Sequence, residues 1–192
     1  MSVGGARVAY PLFQMGDGGS SPTSTLHPKD FTFEPCPRKF AAEMNERWHS
    51  RVPIVEWGLI KYAFQAQANG ICYCVALWSN PIARMLPNDW LELKRMAGSP
   101  EWPKNASSRF LAWMIRYIRD NYQQHPVLIS YQDTAVHVGT IYKATGWKKA
   151  RATSEGDSWN KPARWRPDGN GTDVTAAVKI RWQIELKRKE TF

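Results

Sequence analysis

The sequence contains little cysteine: three of its 192 residues, Cys36, Cys72 and Cys74. An odd number of thiols argues against the disulfide framework of a small secreted protein. No second closely spaced pair is present that would complete a zinc site with Cys72 and Cys74. These two cysteines are two residues apart in an apolar run, so we expect them on one face of one strand. We therefore expect reduced thiols that are mostly buried.

Long apolar runs are also absent. No run approaches the roughly 18 residues that a membrane-spanning helix requires. The first residues do not combine a charged segment with a following apolar segment, so we expect no signal peptide. These absences disfavour a membrane or secreted protein and favour a cytoplasmic one.

Basic residues are in excess, and the excess is uneven along the chain. The 26 Lys and Arg outnumber the 17 Asp and Glu, which gives a formal net charge of +9. Residues 1–96 carry ten basic and eight acidic side chains, whereas residues 97–192 carry sixteen and nine. A basic excess of this size favours a polyanionic partner such as DNA, and it indicates that the second half of the chain makes the contact.

The first thirty residues differ in composition from the rest. Residues 16–25 consist of glycine, serine, threonine, one proline and one aspartate, a composition typical of a flexible chain. A domain usually has about 100–200 residues. The sequence therefore predicts a flexible segment over 1–30 and a single domain over 31–192.

Apolar spacing predicts alternating helices and strands over the second segment. We expect helices over 37–48, 107–121 and 138–145. We expect strands over 59–67, 71–79, 91–96 and 126–131, a strand that begins at Trp147, and another over 174–187. The strand over 71–79 is apolar on both faces, which predicts a central position. The strand over 174–187 alternates strictly, which predicts a half-buried antiparallel strand near an edge.

This order of elements predicts the α/β class in its mixed form: a central mixed sheet with helices on both faces. Ligands of open sheets bind beyond the carboxyl ends of the strands. Polar residues follow the buried strand at 126–131, including Ser130, Gln132 and Asp133. A functional site is therefore expected there.

The segment after that strand carries a recognisable motif. Tyr142 is followed four residues later by Gly146 and then by Trp147, inside the longer string His137-Val-Gly-Thr-Ile-Tyr-Lys-Ala-Thr-Gly-Trp147. A strand followed by a helix with Tyr-x-x-x-Gly-aromatic resembles the last strand–helix–strand unit of the GNAT superfamily of N-acetyltransferases. The longer string is similar to the Mom-type branch, which comprises phage proteins that modify DNA, and the similarity covers about residues 40 to 150.

The resemblance implies an N-acetyltransferase-like fold of the GNAT type and an activity. Mom-type proteins convert adenine N6 in DNA to a carbamoylmethyl derivative, which protects phage DNA from restriction in the host cytoplasm. The implied donor is acetyl-CoA or a related acyl donor. The resemblance assigns catalytic positions to Asp133, Tyr142 and His49. A metal such as iron stays an open alternative, because these three side chains offer oxygen and nitrogen ligands.

The resemblance also assigns a donor-contacting position to Ser107 or Ser108. The predicted donor-binding residues are these two with Arg95 and Arg109. GNAT members usually carry a loop of the form [Gln/Arg]-x-x-Gly-x-[Gly/Ala] before the long helix. Residues 95–109 of this chain contain one glycine and two prolines instead. The first amides of a helix and its positive end still favour an anion, so we expect the donor phosphates at the start of this helix.

Basic residues and tryptophans alternate over 147–166. Cations neutralise phosphates, and an exposed indole can stack on a base. The predicted nucleic-acid contacts are Lys148, Lys149, Arg151, Trp159, Arg164 and Trp165.

Two other classes of function compete with DNA modification. One is an ordinary N-acetyltransferase that acts on a small amine or on a protein lysine. The other is a non-catalytic module that binds nucleic acid. Under the favoured hypothesis of DNA modification, the expected partners are double-stranded DNA and the acyl donor. The oligomeric state is open, with a homodimer as one alternative.

Overall fold

The computed structural model describes residues 26–49, 53–83, 85–135, 137–152 and 178–187. Most of the segment expected to be flexible, residues 1–25, lies outside these ranges. From residue 26 onward the chain takes part in the fold: Leu26 packs against the main core, and Pro28–Asp30 forms a short 3-10 helix.

The described residues form three α-helices and seven strands. The helices are α1 (Arg38–Trp48), α2 (Ala106–Asn121) and α3 (Thr140–Ala144). The strands are β1 (Thr32–Pro35), β2 (Tyr62–Ala68), β3 (Ile71–Ser79), β4 (Leu91–Gly98), β5 (Val127–Asp133), β6 (Lys148–Ala152) and β7 (Lys179–Glu185). A second 3-10 helix covers Trp57–Leu59.

The predicted order of helices and strands is confirmed, with two differences. The sequence pattern did not indicate β1, which has four residues and ends in a proline. The strand predicted from residue 59 begins only at Tyr62, because residues 57–59 form the second 3-10 helix instead.

The strands form one mixed sheet in the order β1-β2-β3-β4-β5-β7-β6. Only β4 and β5 pair in parallel; the other neighbours are antiparallel. β6 precedes β7 along the chain, yet β6 lies at the edge of the sheet and β7 lies between β6 and β5. The central place of β3 and the place of β7 beside an edge strand are as predicted.

The parallel pair β4–β5 is short. Its register contains three pairs, of which Leu93 with Ser130 is the last. Both strands continue beyond this point, to Gly98 and to Asp133, without pairing to each other. A bulge in β4 accompanies the separation, because the register with β3 shifts at Lys94. The carboxyl ends of β4 and β5 therefore diverge and leave a slot between them.

Helices cover both faces of the sheet, as predicted. On one face, here called the α2 face, Phe110, Leu111 and Met114 pack in the main core with Phe64 and Trp78. On the opposite face, here called the α1 face, a smaller cluster forms around α1. It contains Ala41, Ile60, Ala63, Val75, Leu77 and Ala97.

The prediction that Cys72 and Cys74 share one face is wrong. Cys74 lies in the main core, whereas Cys72 packs on the α1 face with Cys36. A bulge explains the difference: Ala66 pairs with Cys74 and Gln67 with Cys72, so Tyr73 is an extra residue that reverses the alternation. Burial raises the pKa of the Cys72 thiol to about 12, so this thiol stays protonated at neutral pH.

No helix in the described ranges has the length and apolar character that crossing a membrane requires.

His125 links the start of β5 to the rest of the sheet. Its ring is buried, and Nδ1 lies 2.6 Å from the Asp89 carbonyl oxygen. A carbonyl can only accept, so Nδ1 carries the proton and Nε2 accepts from the Tyr62 hydroxyl, 3.2 Å away. Burial lowers the pKa of His125 below the 6.5 of a free side chain.

We therefore predict that His125 makes stability depend on pH. The unfolded chain binds a proton at this ring more readily than the folded one, so the free energy of unfolding falls as the pH drops through 6.5. Urea titrations about one unit above and about one unit below this pH measure the loss. In His125→Asn the loss is expected to be smaller; an equal loss in both proteins would contradict the assignment.

Candidate active site

Tyr142 is buried where α3 packs on the sheet. The residue is 4 % exposed, its ring stacks on Trp182 at a centroid distance of 5.4 Å, and Trp147 meets it edge-on at 5.6 Å. Gly146 adopts a left-handed backbone (φ +79°), which ends the helix and returns Trp147 to the tyrosine. The spacing Tyr-x-x-x-Gly-Trp thus places both rings in the main core. The motif alone did not predict that Tyr142 lies this deep in the core.

The Tyr142 hydroxyl reaches the last paired residues of β4 and β5. Its oxygen lies 2.9 Å from Ser130 Oγ, which donates to the Leu93 carbonyl oxygen at 3.1 Å. A serine hydroxyl has one proton, so the Tyr142 hydroxyl is the donor toward Ser130. The chain Tyr142–Ser130–Leu93 therefore sits at the point where the slot opens.

This environment keeps the phenol protonated. Burial raises the pKa of Tyr142 above its ordinary value. When a leaving group enters the slot, the phenol can turn its proton from Ser130 to that group and donate it. Ser130 is the partner that the sequence did not assign; its only signal was its polarity at the end of a buried strand.

Gln132 holds the loop between β5 and α3. Its Nε2 donates to the His137 carbonyl oxygen at 2.6 Å, and its Oε1 accepts from Trp182 Nε1 at 2.7 Å. Gly139 has a left-handed backbone (φ +73°), and a Cβ there would collide with Gln132 and Trp182. The amide of Gln132 thus fixes this loop against β7.

Asp133 ends β5 and points to the opposite side of the strand from Ser130 and Gln132. Its Oδ1 accepts from the Ala135 amide at 3.0 Å, so the carboxylate closes the turn after the strand. Asp133 is close enough to His137 to raise the pKa of that ring, although burial has the larger effect and lowers it. The His137 ring lies 6.5 Å from that of Tyr142, so His137 stands near both predicted catalytic residues.

His49 caps the end of α1, and its amide donates to the Asn45 carbonyl oxygen at 2.8 Å. Burial, and then the charge of Arg95, lower the pKa of His49. Arg95 pairs in register with Leu77 and so lies on the α1 face. His49 is therefore placed on the face of the sheet opposite Tyr142.

Three of the predicted donor-binding residues lie together at the start of α2. Ser107 Oγ accepts from Trp102 Nε1 at 2.8 Å, and Ser108 Oγ donates to the Asn105 carbonyl oxygen at 2.9 Å. The Arg109 guanidinium lies 5.8 Å from the centre of the Phe33 ring. Arg95, the fourth predicted residue, is not brought to this group, because it lies on the α1 face.

Trp102 takes the place that a glycine-rich loop has in the GNAT pattern. A Cβ on Gly98 would lie 2.7–2.9 Å from the Trp102 side chain, so the indole rests directly on the backbone where β4 ends. The Trp102 ring also meets Phe31 edge-on at 4.8 Å. The slot and the Tyr142 hydroxyl fit the reactive end of an acyl donor, and the polar start of α2 fits an anionic end, without a glycine cradle between them.

Lys148, Lys149 and Arg151 lie on the edge strand β6, all of whose residues are exposed. Lys149 Nζ lies 5.8 Å from the centre of the Trp182 ring, on the α2 face. The remaining predicted nucleic-acid contacts, at positions 159, 164 and 165, lie outside the described residues.

Within the described ranges, no three His, Cys, Asp or Glu side chains are grouped closely enough to hold a metal ion.

Solved structures share this architecture. The ribosomal-protein-S18-alanine N-acetyltransferase from Escherichia coli matches with a TM-score of 0.57 and 13 % identity, over 84 % of this chain and 98 % of that one. A GNAT family acetyltransferase from Elizabethkingia anophelis with acetyl-CoA bound matches with a TM-score of 0.57 and 14 % identity, over 82 % and 99 %. A Bacillus subtilis acetyltransferase in complex with CoA matches with a TM-score of 0.58 and 10 % identity, over the same shares.

The fold of this chain is thus that of the GNAT acetyltransferases. Comparison with curated protein sequences gives no match. The family model described as the Mom protein family matches residues 30–164. The chain belongs to the Mom protein family.

We predict that Gly139→Ala destabilises the protein more than Gly70→Ala does. Both glycines have a left-handed backbone, which costs a non-glycine residue about 1 kcal/mol. A Cβ at residue 70 meets nothing within 4 Å, whereas one at residue 139 displaces Gln132 and Trp182. Urea denaturation should show an additional loss of about 1–3 kcal/mol for Gly139→Ala; equal losses would show that the loop yields freely.

Proposed function

We propose that this protein modifies a base in DNA, adenine at N6, with a small acyl-derived group. The observation that carries the proposal is the protonated Tyr142 hydroxyl, held by Ser130 at the opening of the slot, in a member of the Mom family. The excess of basic residues in the second half of the chain supports DNA as the substrate.

The exocyclic amine of adenine is a poor nucleophile, so its attack needs help from the protein. The amine loses a proton as it forms the new bond, and a carboxylate within hydrogen-bond reach can orient it and accept that proton. Asp133 is the proposed group, at the carboxyl end of β5. His137, exposed and near both Asp133 and Tyr142, is the group proposed to pass the proton on.

The leaving group needs a proton at the other end of the reaction. A bound acyl-CoA supplies an activated carbonyl carbon and a thiolate leaving group. Tyr142 holds its proton at neutral pH and is the proposed acid for that thiolate, toward which it turns this proton from Ser130. The start of α2, with Ser107, Ser108 and Arg109, is the proposed site for the anionic end of the donor.

A base paired inside a duplex cannot enter the slot, so the proposal includes extrusion of the target adenine. The acyl transfer described above gives N6-acetyladenine and the free thiol. The carbamoylmethyl product is joined to N6 through a methylene and contains one more NH, so it requires a nitrogen donor and a two-electron oxidant in addition to the acyl donor. That product, the role in protecting phage DNA from restriction and the location in the host cytoplasm are the finer part of the proposal. Mass spectrometry of nucleosides from DNA after expression tests that part, because acetyl and carbamoylmethyl adducts differ by one NH unit.

An ordinary N-acetyltransferase is the second candidate. The shared fold with the Escherichia coli enzyme that acts on an alanine of a ribosomal protein favours it. Incubation of the protein with acetyl-CoA and either DNA or a set of amines separates the two: an acetylated amine together with unmodified DNA would favour the alternative.

We predict that Tyr142→Phe and Asp133→Ala each abolish base modification while the protein stays folded. Loss of the buried hydroxyl should cost about 1 kcal/mol, because Ser130 still donates to Leu93. The measurement is the fraction of modified adenine by mass spectrometry, with stability followed by urea denaturation.

The matched controls for these substitutions are Tyr73→Phe, in a half-buried tyrosine of β3, and Asp120→Ala, in an exposed carboxylate at the end of α2. Both should leave modification unchanged. Normal modification by Tyr142→Phe and Asp133→Ala together would refute the assignment.

We also predict that Ser108→Asp weakens acetyl-CoA binding more than Ser108→Ala does. The aspartate places a negative charge beside the donor phosphates, whereas alanine removes only a hydroxyl. Calorimetry with acetyl-CoA measures the order wild type, alanine, aspartate. Asn121→Asp makes the same change of charge at the far end of α2, about 20 Å away, and should bind as the wild type does; equal affinity of all four proteins would place the donor elsewhere.

A further inference from the structure

A row of polar and basic side chains crosses four adjacent strands on the α1 face. Tyr131 of β5, Arg181 of β7 and Arg151 of β6 are direct partners in the sheet register, so their side chains share one face. On the other side of β5, Lys94 and Arg95 continue the row on β4. These five residues are here called the basic row. Arg95 was assigned above to the donor and Arg151 to nucleic acid; the other three have been given no role so far.

The members of the row interact with one another. The Arg181 guanidinium donates a hydrogen bond to the Tyr131 hydroxyl, and Arg151 is near enough to act on the same phenol. Lys94 Nζ lies 2.8 Å from the carboxylate of Glu92, which also acts on Tyr131 and Arg95. The row thus contains four cations, and the Glu92 carboxylate acts on two of them, Lys94 and Arg95.

Two of these cations also lack hydrogen-bond partners for buried atoms. Arg95 Nε and Arg181 Nε are both buried, and neither has a partner within the described structure. Burial of an unsatisfied N–H in a charged group is costly, so such atoms indicate a ligand that satisfies them. A group with several anionic oxygens meets this need, because arginine donates to phosphate in a fork.

The length of the basic row indicates which kind of anion can cover it. The spacings from β5 to β7 and from β7 to β6 are about 4.8 Å each, and the slot separates β4 from β5 by more than one such spacing, so the row is more than about 14 Å long. A single phosphate covers only a fraction of it, whereas about four nucleotides of one strand cover it at about 3.4 Å each. One end lies on the exposed edge strand with Lys148 and Lys149, and the other lies beside His49 at the slot.

We propose that the basic row binds the phosphodiester backbone of the nucleic-acid strand that carries the target base. The strand enters over β6, crosses Arg181 and Tyr131, and brings one nucleotide to the slot from the face opposite α2. That the bound base is then modified rests on the proposed function; that the row binds the backbone does not. Arg95, assigned from the sequence to the donor, becomes a contact to the phosphate next to the target nucleotide.

Binding of a short fluorescein-labelled DNA duplex, followed by anisotropy over a range of salt concentrations, tests the proposal. Arg181→Gln should weaken binding about tenfold, and it should make the slope of log affinity against log salt less steep by about one contact. Arg116→Gln, the same change at an exposed arginine of α2, should leave both unchanged. Equal affinity and slope for Arg181→Gln and Arg116→Gln would overturn the proposal.

A second substitution guards against misfolding of the Arg181 variant. Lys94→Gln affects a partly exposed end of the row and should weaken binding in the same direction, with circular dichroism unchanged. Titration with acetyl-CoA gives the opposing outcome: if Arg181→Gln and Lys94→Gln weaken acetyl-CoA binding but not duplex binding, the row belongs to the donor and the proposal fails. Duplex binding that depends on Arg181 in a protein that leaves DNA unmodified would sustain this inference and refute the proposed function.

Discussion

β4 and β5 pair over three residues and then separate, and the groups of the candidate site are placed relative to that separation. The bulge at Lys94 turns β4 away from its neighbour, and the Ser130 hydroxyl bonds to the last paired carbonyl, Leu93. Tyr142 then donates to Ser130 from α3. A continuous parallel pair would satisfy these backbone groups in the ladder and leave no opening at the phenol. The slot is thus a gap in backbone hydrogen bonding that side chains border.

The two faces of the slot differ in chemistry. On the α2 face, aromatic rings surround a single hydroxyl, and burial keeps its proton in place. On the α1 face, cations from neighbouring strands form the basic row, and two of their N–H groups have no partner in the described structure. One side therefore suits proton transfer and the other suits the holding of an anion. Successive side chains of a strand point to opposite faces, so β5 supplies Ser130 to the α2 face and Tyr131 to the α1 face.

Regular apolar spacing predicted the elements whose burial is simple. α1, α2 and β3 were placed to within a residue at each end, because their periodicity directly reflects the faces they bury. β1 has too few residues for a period to be visible. The bulge at Tyr73 reverses the alternation on which the cysteine prediction depended, and nothing local in the sequence marks it. The motif located Tyr142 but not its depth, which depends on Trp182, forty residues away. The sequence pattern predicts that Arg181 lies on the solvated face of a strand. Only the register of the sheet shows that Tyr131 and Arg151 flank it.

Gly98 shows how a small residue can be required for reasons unrelated to a ligand. Its hydrogen faces the Trp102 indole, and that indole in turn donates to Ser107 at the start of α2. The ring therefore acts as a rigid brace that sets the distance between the end of β4 and the long helix. Here the glycine of an Arg-x-x-Gly pattern leaves the space that an aromatic ring occupies. Searches that count such a glycine as evidence for coenzyme A would select this chain on a residue whose place is determined by packing.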